Sequence, residues 1–64
     1  MKLEAGKFYK IVFSVGGNIL TFSCQILEED DNFVRFKDKF GKILCYNKAN
    51  IVSVEEIEGG AEYP

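Results

Sequence analysis

In the run from residue 19 to 28 the chain alternates cleanly over 20–26, with Leu20, Phe22, Cys24 and Ile26 on one phase and Thr21, Ser23 and Gln25 on the other. Successive side chains of an extended strand point to opposite faces, so this pattern makes a strand with one buried face and leaves no apolar stripe for a helix. The same period recurs at 7–15, where Tyr9, Ile11, Phe13 and Val15 share a phase. At 33–38 it sends Val34 and Phe36 inward and Arg35 and Lys37 outward, while Phe33 falls out of phase with the core face. Turn signals part these runs at short intervals: Gly16-Gly17-Asn18, Asp30-Asp31-Asn32, Lys39-Phe40-Gly41 and Asn47-Lys48-Ala49-Asn50. Each supplies residues that tolerate positive φ or close a turn with a side-chain oxygen. No segment sustains a 3.6-residue period, and residues 1–5 have room for one helical turn at most.

Two further runs differ in kind. At 42–46, Ile43 and Cys45 lie on one face and Leu44 and Tyr46 on the other; at 51–57, Ile51, Val52 and Val54 occupy both phases at the start. Strands apolar on both sides must be covered on both sides. A chain of 64 residues has too little mass to do this for two strands, so a partner chain is expected. Five short strands, three tight hairpins and one compact turn predict an all-β fold: a small, strongly bent five-stranded SH3-like barrel. The barrel is placed at 7–57, with a single 3₁₀ turn at 47–50, an N-terminal segment at 1–6 and a flexible tail at 58–64.

Several function classes fall away on residue counts. There is no His and no Trp, which removes histidine metal sites, histidine acid–base catalysis and Ser-His-Asp triads. Cys24 and Cys45 lack the further ligands a zinc site needs, and each lies in an apolar run where Cys acts as a small hydrophobe. Glu28-Glu29-Asp30-Asp31 lacks the alternating spacing of a calcium loop and reads as a solvated hairpin tip. Gly16-Gly17-Asn18 lacks the Lys-Ser/Thr pair and following helix of a phosphate loop and reads as a hairpin turn. No enzyme activity, cofactor or metal is expected. The first residues carry no apolar signal core and no run reaches 18 apolar residues, so a cytoplasmic protein with reduced thiols and no membrane partner is expected.

The net charge is −2, but it is unevenly spread. Residues 33–50 carry Arg35, Lys37, Lys39, Lys42 and Lys48 against Asp38, a local +4, whereas 28–31 and the tail each carry −4. Phe33, Lys48, Asn32, Asn47 and Asn50 sit in the second and fourth turns, which a closed barrel brings together at one end. Aromatics stack on bases, amides bond base edges and Lys meets phosphate, the usual means of reading single-stranded RNA. The same residues also suit a plain reading, in which Phe33 packs a barrel edge or a subunit contact and the others are solvated turn residues.

The segment Asp31-Asn32-Phe33-Val34-Arg35-Phe36 resembles the signature Asp-x-Phe-Val-x-Leu of the bacterial Hfq branch of the Sm-like family. Upstream, Gly17-Asn18-Ile19-Leu20-Thr21-Phe22 is similar to the family's Gly-x-x-Leu-x-Gly opening, with Phe22 where glycine is usual. Downstream, Tyr46-Asn47-Lys48-Ala49 is similar to the Hfq Tyr-Lys-His-Ala segment with one extra residue, and to the Sm Arg-Gly-Asn-Asn segment with Asn47 and Lys48 in place of Arg-Gly. The resemblance spans residues 8–57. It implies a homo-oligomeric ring of five to seven subunits in which the fourth strand of one subunit pairs with the fifth of the next. Ile43, Cys45, Val52 and Val54 would line that interface, and Asp31, Asn32, Phe33, Lys48 and Asn50 the RNA-gripping rim. In this scheme Asp31 orients the loop by accepting hydrogen bonds from backbone amides. The absent His, the absent Arg-Gly pair and the acid run beside the loop favour the alternative, an SH3-like barrel serving as a protein-interaction or scaffold module without RNA.

Overall fold

The computed structural model describes residues 2–57; the tail expected at 58–64 lies outside them. The chain forms β1 (Phe8–Val15), β2 (Asn18–Glu29), β3 (Phe33–Asp38), β4 (Ile43–Asn47), a 3₁₀ turn (Lys48–Asn50) and β5 (Ile51–Glu56). The expected strands are all present, each boundary within about a residue. Gly16 and Gly17 join β1 to β2 as a two-residue hairpin with φ +56° and +83°. Positive φ at both central positions matches the twist of the flanking strands and is nearly free of strain only at glycine.

All five strands lie in one antiparallel sheet, in the order β4-β3-β2-β1-β5. Bulges between Ile26 and Glu28 on β2, and at Val52 where β5 meets β1, bend the sheet. The bend is strong. On a flat sheet β4 and β1 would stand roughly 14 Å apart, three inter-strand spacings. Instead the Tyr46 ring on β4 meets the Phe13 ring on β1 edge-on, with centroids 4.8 Å apart. Phe22 and Phe36 complete this aromatic cluster, Phe36 lying stacked 5.8 Å from Phe13. Around it close Leu3, Tyr9, Ile11, Cys24, Ile26 and Val34, all buried.

The sheet curls but does not close, which corrects the expectation of a closed barrel. No ladder joins β4 to β5 among the described residues. The reason is topological. Counting the antiparallel steps across the sheet, β4 and β5 run in the same sense, and only three residues link them. Parallel neighbours need a crossover of roughly a dozen residues or more, so these two strands cannot pair within one chain. They are left as the two edges.

The N-terminal segment also differs from expectation. No helical turn forms at the described residues before β1. Instead the Gly6 N–H donates to the Ile26 carbonyl at 2.8 Å, and Leu3 inserts into the core with 2% of its surface exposed. Asp38, at the end of β3, is buried for a local reason: its carboxylate accepts the N–H groups of Phe40 and Lys42, both at 2.9 Å, and so closes the β3–β4 turn. Both cysteines are free, Cys24 buried and Cys45 exposed. Burial, with the Asp38 carboxylate nearby, pushes the Cys24 thiol up to about 12. No helix among the described residues is long and apolar enough to cross a membrane.

Candidate nucleic-acid interface

The second and fourth turns meet, as expected. The Lys48 N–H donates to the Asn32 carbonyl at 2.8 Å. Each turn is first held by its own short side chain. The Asp30 carboxylate accepts from the N–H groups of Asn32 at 2.8 Å and Phe33 at 2.7 Å; the Phe33 bond first, and the Asn32 bond after it, hold its carboxyl below the usual range. The Asn47 side chain accepts from the Ala49 N–H at 2.8 Å and caps the 3₁₀ turn. The loop-orienting carboxylate is therefore Asp30, not Asp31, which stands exposed one residue on. An Asp at the head of a turn reaches the amides two and three residues ahead, so the residue beginning the turn has the right span.

Between the two turns lies an open cleft of about 390 Å³ lined by Asp31, Asn32, Asn47, Lys48, Ala49 and Ile51. Three of the five expected RNA contacts share it: Asp31, Asn32 and Lys48. Phe33 does not. It is 47% exposed and borders a second cleft, of about 300 Å³, with Glu28, Glu29, Asp30 and Cys45. Asn50 is half-buried and lines neither cleft.

Lys48 is not the free cation the sequence implied. Its Nζ lies 2.6 Å from the Glu29 Oε2 and donates to the Asp30 carbonyl at 2.8 Å. The same Glu29 oxygen accepts the Leu3 N–H at 3.3 Å. The Lys48 hydrogen bond first, and the Leu3 amide after it, hold the Glu29 carboxyl below its usual range against partial burial. Glu29 thus leaves the solvated tip to which the acid run assigned it. Its place on the strand, with side chains 14% and 16% exposed in the pair, contrasts with Arg35–Glu28 and Lys7–Glu56, where every partner is about half exposed or more. Of the local basic excess, Arg35 and Lys48 are both paired with carboxylates.

No family model, curated protein or solved structure matches the chain.

At the sheet edges, Ile43 on β4 is 56% exposed and Val52 on β5 is 61% exposed, and Cys45 is exposed as well. Val54 instead turns inward and packs, half-buried, against this chain's own core, as do Leu44, Tyr46 and Ile51. Among the described residues no group of three His, Cys, Asp or Glu side chains is placed to hold a metal ion.

Proposed function

We propose that the chain is a subunit of an Sm-like ring of five to seven copies that binds single-stranded RNA at the junction of its second and fourth turns. The observation that carries this reading is the pair of edge strands, β4 and β5, which cannot pair with each other yet expose Ile43, Cys45 and Val52 beside the half-buried Leu44, Tyr46, Ile51 and Val54. Unprotected edges invite pairing with another chain, and head-to-tail pairing of β4 with β5 removes both edges when the ring closes. Each curled sheet is then continued at both edges by its neighbours' sheets. At the rim, Asn32 offers an amide to base edges, the outward Phe33 a stacking face, and Lys48 its charge. Asp31 borders the path, and Asn50 stands outside it.

The Lys48–Glu29 pair and the net charge of −2 favour a second reading, a ring that serves as a protein-interaction scaffold without RNA. Two measurements separate these outcomes. Light scattering is expected to give five to seven times the chain mass of 7.3 kDa; a 7.3 kDa species overturns the ring. Titration with oligouridine and oligoadenine at low salt is expected to show binding that weakens steeply as salt rises, since phosphate contacts release counterions. A ring that binds neither oligonucleotide leaves the scaffold reading.

A further inference from the structure

We propose that Glu29 is an internal ligand that occupies an anion site formed by Lys48 and the Leu3 amide, and that it holds this site closed to phosphate. The inference rests on the RNA reading above and concerns how the same site is controlled. Three observations carry it.

Lys48 lines the cleft of Asn32 and Asn47, whereas Glu29 lines the cleft of Phe33 and Cys45, and their charged ends are 2.6 Å apart. The pair is therefore the wall between the amide cleft and the aromatic one. A strand that stacks on Phe33 and reaches the amide of Asn32 passes over it.

Second, the site is built from donors that converge on one oxygen. Glu29 Oε2 receives the Lys48 ammonium and the Leu3 N–H together. A phosphate oxygen has the same needs as that carboxylate oxygen and is the natural competitor for both donors. Third, the surroundings are already anionic. Glu28 and Asp30 border the aromatic cleft and Asp31 the amide cleft, with Lys2 the further cation acting on Glu29. While Glu29 is in place the wall is neutral, and phosphate gains no net attraction there. Removing its charge leaves the Lys48 ammonium, still held by the Asp30 carbonyl, without a neutralising partner at that wall.

The test compares wild type, Glu29→Gln and the double variant Glu29→Gln/Lys48→Gln, using a fluorescent uridine hexanucleotide at low salt. Glu29→Gln is expected to bind about tenfold more tightly, as a charge-assisted hydrogen bond to phosphate is gained. Its log–log salt slope is expected to steepen by about 0.7, one more phosphate neutralised on a single strand. The double variant is expected to lose both gains. A folded Glu29→Gln that binds no more tightly than a wild type that does bind overturns the inference and leaves the RNA reading standing. Failure of both proteins to bind overturns the two together. Binding by Glu29→Gln alone upholds the internal ligand and shows the wild-type site to be shut. Should Glu29→Gln fail to melt cooperatively, Glu29→Asp keeps the charge but withdraws it by one methylene; a smaller gain in the same direction is expected, and no gain overturns the inference.

Discussion

Replacing Leu3 with alanine tests whether the N-terminal segment belongs to the core or merely lies beside it. Leu3 is 2% exposed among residues of β1 to β3. Deleting three buried carbons costs about 2.4 kcal/mol at roughly 0.8 kcal/mol for each. Space that does not refill adds about 24 cal/mol per Å³. The segment is tied down by the Gly6–Ile26 and Glu29–Leu3 hydrogen bonds but is not part of a strand, so it can settle into some of that space. The expected loss is about 3 kcal/mol, within the usual range for buried Leu→Ala. A chain of this length has only about 3–10 kcal/mol in total, so the melting midpoint should fall by roughly 12 °C or more. Urea unfolding at one fixed protein concentration is the assay, because assembly would make stability concentration-dependent. Lys2→Ala, at an exposed neighbour, serves as the control. A loss for Leu3→Ala below about 1 kcal/mol, no larger than a surface change, would show that the core is complete without Leu3.

Asp38→Ala should cost about 2 kcal/mol, because two turn amides lose their acceptor, and should speed hydrogen exchange at Phe40 and Lys42; unchanged exchange at those two amides would show that the carboxylate does not hold the turn. Acid should weaken the fold through Glu29 and Asp30. Both carboxyls are lowered from ordinary values of 4.5 and 3.8. The native state therefore binds their protons less readily than the unfolded state. The stability they contribute is complete above those ordinary values and is lost as pH falls through the lower folded ones. Asp30→Asn should flatten the fall of the melting midpoint below pH 3.8, and a profile superimposable on wild type would refute the assignment.

How much of the fold and the site is legible in the sequence depends on the range of the interaction concerned. The strands and their inward faces follow from alternation, and the places of the hairpins follow from Gly16-Gly17-Asn18, Asp30-Asp31-Asn32 and Lys39-Phe40-Gly41; each is set by residues within a few positions of one another. The meeting of the second and fourth turns is also readable, since strand lengths and a short link leave few ways to connect five strands. The role expected of Asp31 is one residue out, because the acid run marks the turn without saying which carboxylate heads it.

What tertiary structure alone decided involves partners distant in the chain. Leu3 reads as a lone apolar residue in a polar segment until the Ile26 and Glu29 contacts bring it inside. Lys48 reads as a solvated cation until the curl of the sheet sets it against Glu29 on another strand. Phe33 and Asn32 are adjacent in sequence yet border different clefts, because Asn32 lies in the turn whereas Phe33 begins β3. Local periodicity specifies which way a side chain faces. Which residue it meets there depends on how far the sheet bends, and that is a property of all five strands packing at once.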